Sequence, residues 1–204
     1  KNARGLMVEA AKACVGIKEL TGRNDGKLVE LIQKTVDGVA DGAPWCMSLV
    51  QSMIAYAEFK TGVLSPLMAT EHCLTLWNST PIEQKVKISP LAGAIAIWRH
   101  GTTTNGHTGI VLDCDESLFH AAEGNGSGSF TPLSDSSAQA VIEREGNAVV
   151  YTKRSRTTNG EMKLPKMSDN GVGLESWPCC ESAVASPVAE RAMALGSAAA
   201  ADWS

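Results

Sequence analysis

Cys46 stands in Gly42-Ala43-Pro44-Trp45-Cys46-Met47-Ser48-Leu49-Val50-Gln51, where a turn gives way to a helix. Gly-Ala-Pro cannot extend a helix backwards, while Met47, Leu49, Val50, Met53, Ile54 and Ala57 supply an apolar stripe forwards. The first turn of a helix carries unpaired N–H groups and a partial positive charge. A thiol held there is biased toward thiolate, the form that attacks carbonyl carbon. Such a nucleophile needs a base, and the base needs a polar group to orient it. Of the four histidines, His107 in Asn105-Gly106-His107-Thr108-Gly109 follows a flexible Gly at the mouth of a strand, from which its ring can reach a helix N-terminus. His100 also stands at a strand end and is its competitor. His72 and His120 fit surface or structural roles better. In Ala121-Ala122-Glu123-Gly124-Asn125, strand alternation puts residues 121, 123 and 125 on one face. Either Glu123 or Asn125 can then accept the second imidazole N–H and fix the tautomer, while His120 faces the other way.

The elements that must place these groups follow from hydrophobic periodicity. Ala3 to Val15 predicts a helix with Leu6, Met7, Ala10, Ala13 and Cys14 inward. Asn24-Asp25-Gly26 predicts a turn, with Asp25 capping a second helix through Leu28, Val29, Leu31 and Ile32. The Cys46 helix runs to about Phe59 and stops near Thr61-Gly62, and a short helix follows around Thr70 to Trp77. Strands are expected at Ala94–Trp98, Thr108–Leu112, Leu118–Glu123 and Ala148–Tyr151. Helices first and strands afterwards predict an α+β fold, with N-terminal helices packed on an antiparallel sheet. Gly124 to Gly146 has few periodic apolar residues and is expected to be a surface loop. The chain divides into a catalytic region, 1–155, and a polar, then Ala-rich tail, 156–204. Ser186-Pro187 opens a helix near 186–200 in that tail. The tail is expected to pack on the main domain or to serve as a short targeting element.

Composition narrows the classes. The chain has 204 residues, 44% apolar and 20% charged, in the range of soluble globular proteins. A net charge of −4 with no basic run argues against non-specific nucleic-acid binding. No apolar stretch approaches a membrane span. Lys1-Asn2-Ala3-Arg4 leads into an amphipathic segment and not a signal-peptide core, so synthesis in the cytoplasm without a secretory signal is expected. The six cysteines, at 14, 46, 73, 114, 179 and 180, contain no C-x-x-C pair and no regular framework, which disfavours a disulfide scaffold or zinc ribbon. Cys14, Cys73 and Cys114 read as packing or incidental thiols.

Pro44-Trp45-Cys46, Gly106-His107-Thr108-Gly109-Ile110-Val111 and Glu123-Gly124-Asn125 resemble the three motifs of the CHAP amidase/peptidase family, within the papain-like NlpC/P60 superfamily. Gly16-Ile17-Lys18-Glu19 and Asn24-Asp25-Gly26 are similar to the lead-in of a phage and bacterial subgroup, so the resemblance spans about residues 5 to 155. It implies a papain-like fold and a monomeric peptidoglycan hydrolase of the endolysin kind, acting on an amide bond of the bacterial cell wall. Cys46 would be the nucleophile, His107 the base, and Glu123 with Asn125 the orienting pair. The Cys46 N–H would help hold the oxyanion; no Gln in the few residues before Cys46 offers a second donor. No cofactor is implied. Some members bind calcium before the Cys, for which Asp25, Asp37 and Asp41 are the available carboxylates. The chain departs from the family where Gly93 is followed by Ala94 instead of an acidic turn, where Met47 replaces a small residue, and where Gly126 follows Asn125. The rival readings are an acyltransferase using the same residues and a non-catalytic wall-binding module.

Overall fold

The computed structural model describes residues 2–86, 91–100, 102–115, 118–126, 146–155 and 171–172. Helix α1 (Ala3–Cys14) starts where the Asn2 side chain accepts the Gly5 N–H at 2.9 Å, and it buries Leu6, Met7 and Ala11. Helix α2 (Lys27–Asp37) begins after Gly26 and not at an Asp25 cap. The Asp25 carboxylate is taken instead by the Thr21 N–H at 2.9 Å and the Thr21 hydroxyl at 2.8 Å, closing the preceding turn. Helix α3 (Cys46–Thr61) stops at Gly62 in a left-handed conformation, where the sequence predicts its end. Helix α4 (Cys73–Ser79) is short and starts a few residues later than expected.

The stripe predicted for α3 is only part of what the fold buries. From Cys46 to Ala55 every residue of the helix is buried, including Ser48, Gln51 and Ser52. The polar ones are satisfied locally. Ser52 donates to the Ser48 carbonyl at 2.8 Å, Thr35 and Ser52 hydroxyls lie 2.8 Å apart, and Gln51 donates to the Met68 carbonyl at 3.1 Å. Buried hydroxyls and amides cost little once paired. The helix can therefore be wrapped by α1, α2 and the sheet at once.

The strands are β1 (Lys85–Val86), β2 (Ile95–Arg99), β3 (Gly106–Cys114), β4 (Leu118–Gly126), β5 (Ala148–Ser155) and β6 (Gly171–Val172). They lie in the order β1-β6-β2-β3-β4-β5 with antiparallel pairing wherever the register is defined. The longer strands β2 to β5 neighbour one another in chain order, and the architecture is α+β, as the order of elements predicts. β6 pairs with Ile95 and Ala96, so the sheet takes in two residues beyond position 155. The helix expected near 186–200 lies outside the described residues. Ile95, Ile97, Ile110 and Leu112 pack with the helices, whereas Ala94, Ala96, Trp98, Val111, Phe119 and Ala121 form a second buried cluster from the alternate positions. Among the described residues no helix is long and apolar enough to cross a membrane.

Candidate thiol site

Cys46 is the first residue of α3, and Trp45 before it makes no side-chain cap. The first helical bond runs from Leu49 N–H to the Trp45 carbonyl, so the N–H groups of the opening turn are left for other partners. The loop that delivers the thiol is fastened from several sides. Glu19 accepts the Trp45 indole N–H and the Asn24 N–H, each at 2.8 Å. Asn24 donates to the Gly42 carbonyl and Gln33 to the Ala43 carbonyl, also at 2.8 Å. Trp45 is fully buried. Gly124 on β4 allows this fit: a Cβ there would meet Leu49 Cδ2 at 2.9 Å and Trp45 Cζ3 at 3.2 Å.

The sheet supplies the other half. β3 is longer than expected, so His107 lies inside it, paired across to Trp98 with ring centroids 5.9 Å apart. His107 Nε2 is 3.0 Å from Glu123 Oε2 on β4, which leaves Nδ1 as the free ring nitrogen for the thiol. Glu123 is 1% exposed, and all its acceptor capacity is used. Thr152 and Arg154 Nε donate to Oε1 at 2.5 and 2.9 Å, and Arg154 Nη2 donates to Oε2 at 2.6 Å. The Arg154 guanidinium also lies 4.9 Å over the Trp98 ring. Gly109 makes the close approach of β3 and β4 possible here, since a Cβ would come within 2.7 Å of Glu123 Cγ.

The charges follow from this packing. Burial alone would raise the Glu123 carboxyl, but the Arg154 charge and the His107 hydrogen bond outweigh it and hold the acid at about 2. Burial would likewise lower His107, yet hydrogen bonds and charge from Cys46 and Glu123 raise it to about 10. The Cys46 thiol is held well below its ordinary value, first by a hydrogen bond from Cys73, against burial, and then by His107 and the Met47 N–H. These directions favour a thiolate–imidazolium pair backed by an ionised, charge-paired carboxylate. Such a site can add a sulfur nucleophile to a carbonyl and return a proton to the leaving group.

The predicted residues separate at Asn125. Cys46, His107 and Glu123 come together, but the second imidazole nitrogen is bound to Glu123 and not to Asn125. The β4–β5 register shifts between Glu123 and Gly126, and Asn125 has φ 52°. This bulge breaks the alternation that would have put residues 123 and 125 on one face. With its amide nitrogen donating, Asn125 instead reaches the Gly146 carbonyl, Glu19 Oε1 at 3.3 Å and Asn24 Oδ1 at 3.2 Å. His100, the competing base, stacks on His107 with centroids 6.5 Å apart, and His120 binds Asp113 and stacks on Tyr151. Cys73 is not incidental: its sulfur lies 3.8 Å from that of Cys46. Trp98, Thr152 and Arg154 were also missed. A carboxylate inside an apolar strand demands a cation, and that requirement could have prompted a search for Arg154. Asp25, Asp37 and Asp41 accept the N–H groups of Thr21, Val39 and Ala43, and among the described residues no group of three His, Cys, Asp or Glu side chains could hold a metal ion.

No family model, curated protein or solved structure matches the chain.

Proposed function

We propose that this protein is a papain-like cysteine hydrolase that cuts an amide bond of bacterial peptidoglycan. One observation carries the reading: an unbroken line of contacts from a thiol at a helix N-terminus, through an imidazole, to a buried carboxylate whose charge is held by Arg154. The amide-bond chemistry follows from that line. The wall substrate follows from the resemblance of the Cys46, His107 and Glu123-Gly124-Asn125 segments to the CHAP motifs.

In the proposed cycle the Cys46 thiolate attacks the carbonyl carbon while its own N–H binds the oxyanion. Glu123 keeps the proton on Nε2, so His107 Nδ1 donates its proton to the leaving amine. The neutral ring then takes a proton from water, which attacks the thioester and frees Cys46. Arg154 keeps Glu123 ionised throughout. Asn125 acts as a positioning residue, through Glu19 and Asn24, on the loop that carries Trp45 and Cys46.

Purified peptidoglycan incubated with the protein, followed by mass spectrometry of released fragments, tests the reading. New free amine and carboxyl ends are expected, and Cys46→Ala should release none. Fragments capped by an added amine would establish an acyltransferase instead. Retention on the wall with no fragment released by the wild-type chain would establish a binding module.

A further inference from the structure

We propose that Cys46 and Cys73 are a redox pair, in which a hydroperoxide oxidises Cys46 and Cys73 resolves the product to a disulfide. The two sulfurs lie 3.8 Å apart, both cysteines are free, and their residues are 7% and 5% exposed. A disulfide needs about 2.05 Å, so closure asks for about 1.8 Å of approach shared between two side chains. The surroundings permit it. Cys73 opens the short helix α4 after a connection, residues 62–72, that contains no helix or strand. Beside it stands Gly106, where a Cβ would lie 3.2 Å from the Cys73 Cβ. The pair does not read as a metal site, because no third ligand completes it among the described residues.

The two thiols are also unlike each other in the way this chemistry needs. Cys46 is biased to thiolate, and Cys73, raised by its hydrogen bond to Cys46 and by burial, keeps its proton. The Cys46 thiolate attacks one peroxide oxygen, the O–O bond breaks, and the other oxygen leaves as hydroxide or alkoxide and is protonated by water. Sulfur is oxidised by two electrons to the sulfenic acid, and the peroxide is reduced. Cys73 sulfur then attacks Cys46 sulfur; the S–S bond forms, the S–O bond breaks, and the hydroxyl leaves with the Cys73 proton as water. The resulting loss of hydrolysis rests on the proposed function, whereas the linkage itself does not.

The experiment treats the full chain with hydrogen peroxide, quenches with an alkylating agent and maps the peptides. The expected result is a loss of about 2 Da in intact mass, a Cys46–Cys73 crosslink, and recovery of free thiols with dithiothreitol. Wall lysis should vanish and return in step. Cys73→Ser should lose this recovery, with Cys46 advancing to sulfinic acid. If Cys46 over-oxidises in the wild type without linking, or links to any other cysteine, the proposal is overturned. Crosslink mapping of the wild type decides this even if Cys73→Ser fails to fold. A Cys46–Cys73 link in a protein that never lyses walls would uphold the pair and sink the hydrolase reading.

Discussion

Two buried or half-buried glutamates, Glu123 and Glu19, hold the two halves of the site by different physics. Glu123 is neutralised by Arg154 and touches the imidazole, so its charge stands one hydrogen bond from the reacting groups. Among the described residues Glu19 binds neutral donors, the Trp45 indole and the Asn24 N–H, with the Asn125 amide alongside. The first acid sets the charge state of a base. The second fixes where a loop and a helix begin. Removing either should impair the site, but only the first should move a titration.

The largest effects should come from the reacting groups. Cys46→Ala should abolish wall lysis in a zymogram, and His107→Ala should cut it by about 10³-fold, the usual scale for a lost acid–base group. Glu123→Ala comes next. It leaves Arg154, whose side chain is 14% exposed, without its counter-charge, so a stability loss of about 3 kcal/mol is expected by denaturant titration, with activity falling as well. Glu123→Gln should be milder, since an amide still accepts from imidazole. Adding Arg154→Met to Glu123→Gln should restore stability and not activity. If it restores both, the carboxylate serves packing alone.

The pH dependence sharpens the same contrast. Cys46 and His107 titrate as one pair, so lysis should hold across neutral pH and fall as pH rises through about 10. Glu123→Gln should bring that upper limb down; Glu19→Gln should leave it in place. For stability, a raised His107 contributes fully below about 6.5, and the contribution is lost as pH climbs through about 10. A depressed Glu123 contributes above about 4.5 and loses its effect as pH falls through about 2. Melting temperatures across pH measure both. Smaller still, Asn125→Ala should cost about 1 kcal/mol and a few-fold in activity, with an unchanged pH profile. His100→Ala, which removes a ring stacked on His107 and not the group bonded to Glu123, should be closest to the parent protein.

Much of this was legible because local patterns and global fold agree. The helix start at Cys46, the stop at Gly62, a strand beginning beside His107 and the α+β order all follow from turn residues and periodicity, although the strand takes in His107 itself, which they do not indicate. The His107–Glu123 contact follows in part: strand order brings the Glu123-Gly124-Asn125 segment to His107, but alternation leaves Glu123 and Asn125 as alternative partners, and the structure selects Glu123. Three features were not legible. The bulge at Asn125 leaves no signature in a pattern read with period two. The Asp25 carboxylate had two turns to serve, and it closes the preceding one through the Thr21 N–H and hydroxyl. Cys73 and Arg154 reach the site through tertiary packing, from 27 residues after Cys46 and 31 residues after Glu123, which spacing alone does not reveal.

The bulge in β4 carries one more consequence, for the tolerance of the chain to changes of length. A regular strand would oblige residues 123 and 125 to serve one side of the sheet; the extra residue releases Asn125 to the opposite partners. Deleting one residue between Glu123 and Gly126 would restore strict alternation and swing everything beyond it to the wrong side. Such a deletion should therefore be worse than any single substitution within the segment. At this point of the strand, how many residues there are matters more than which ones they are.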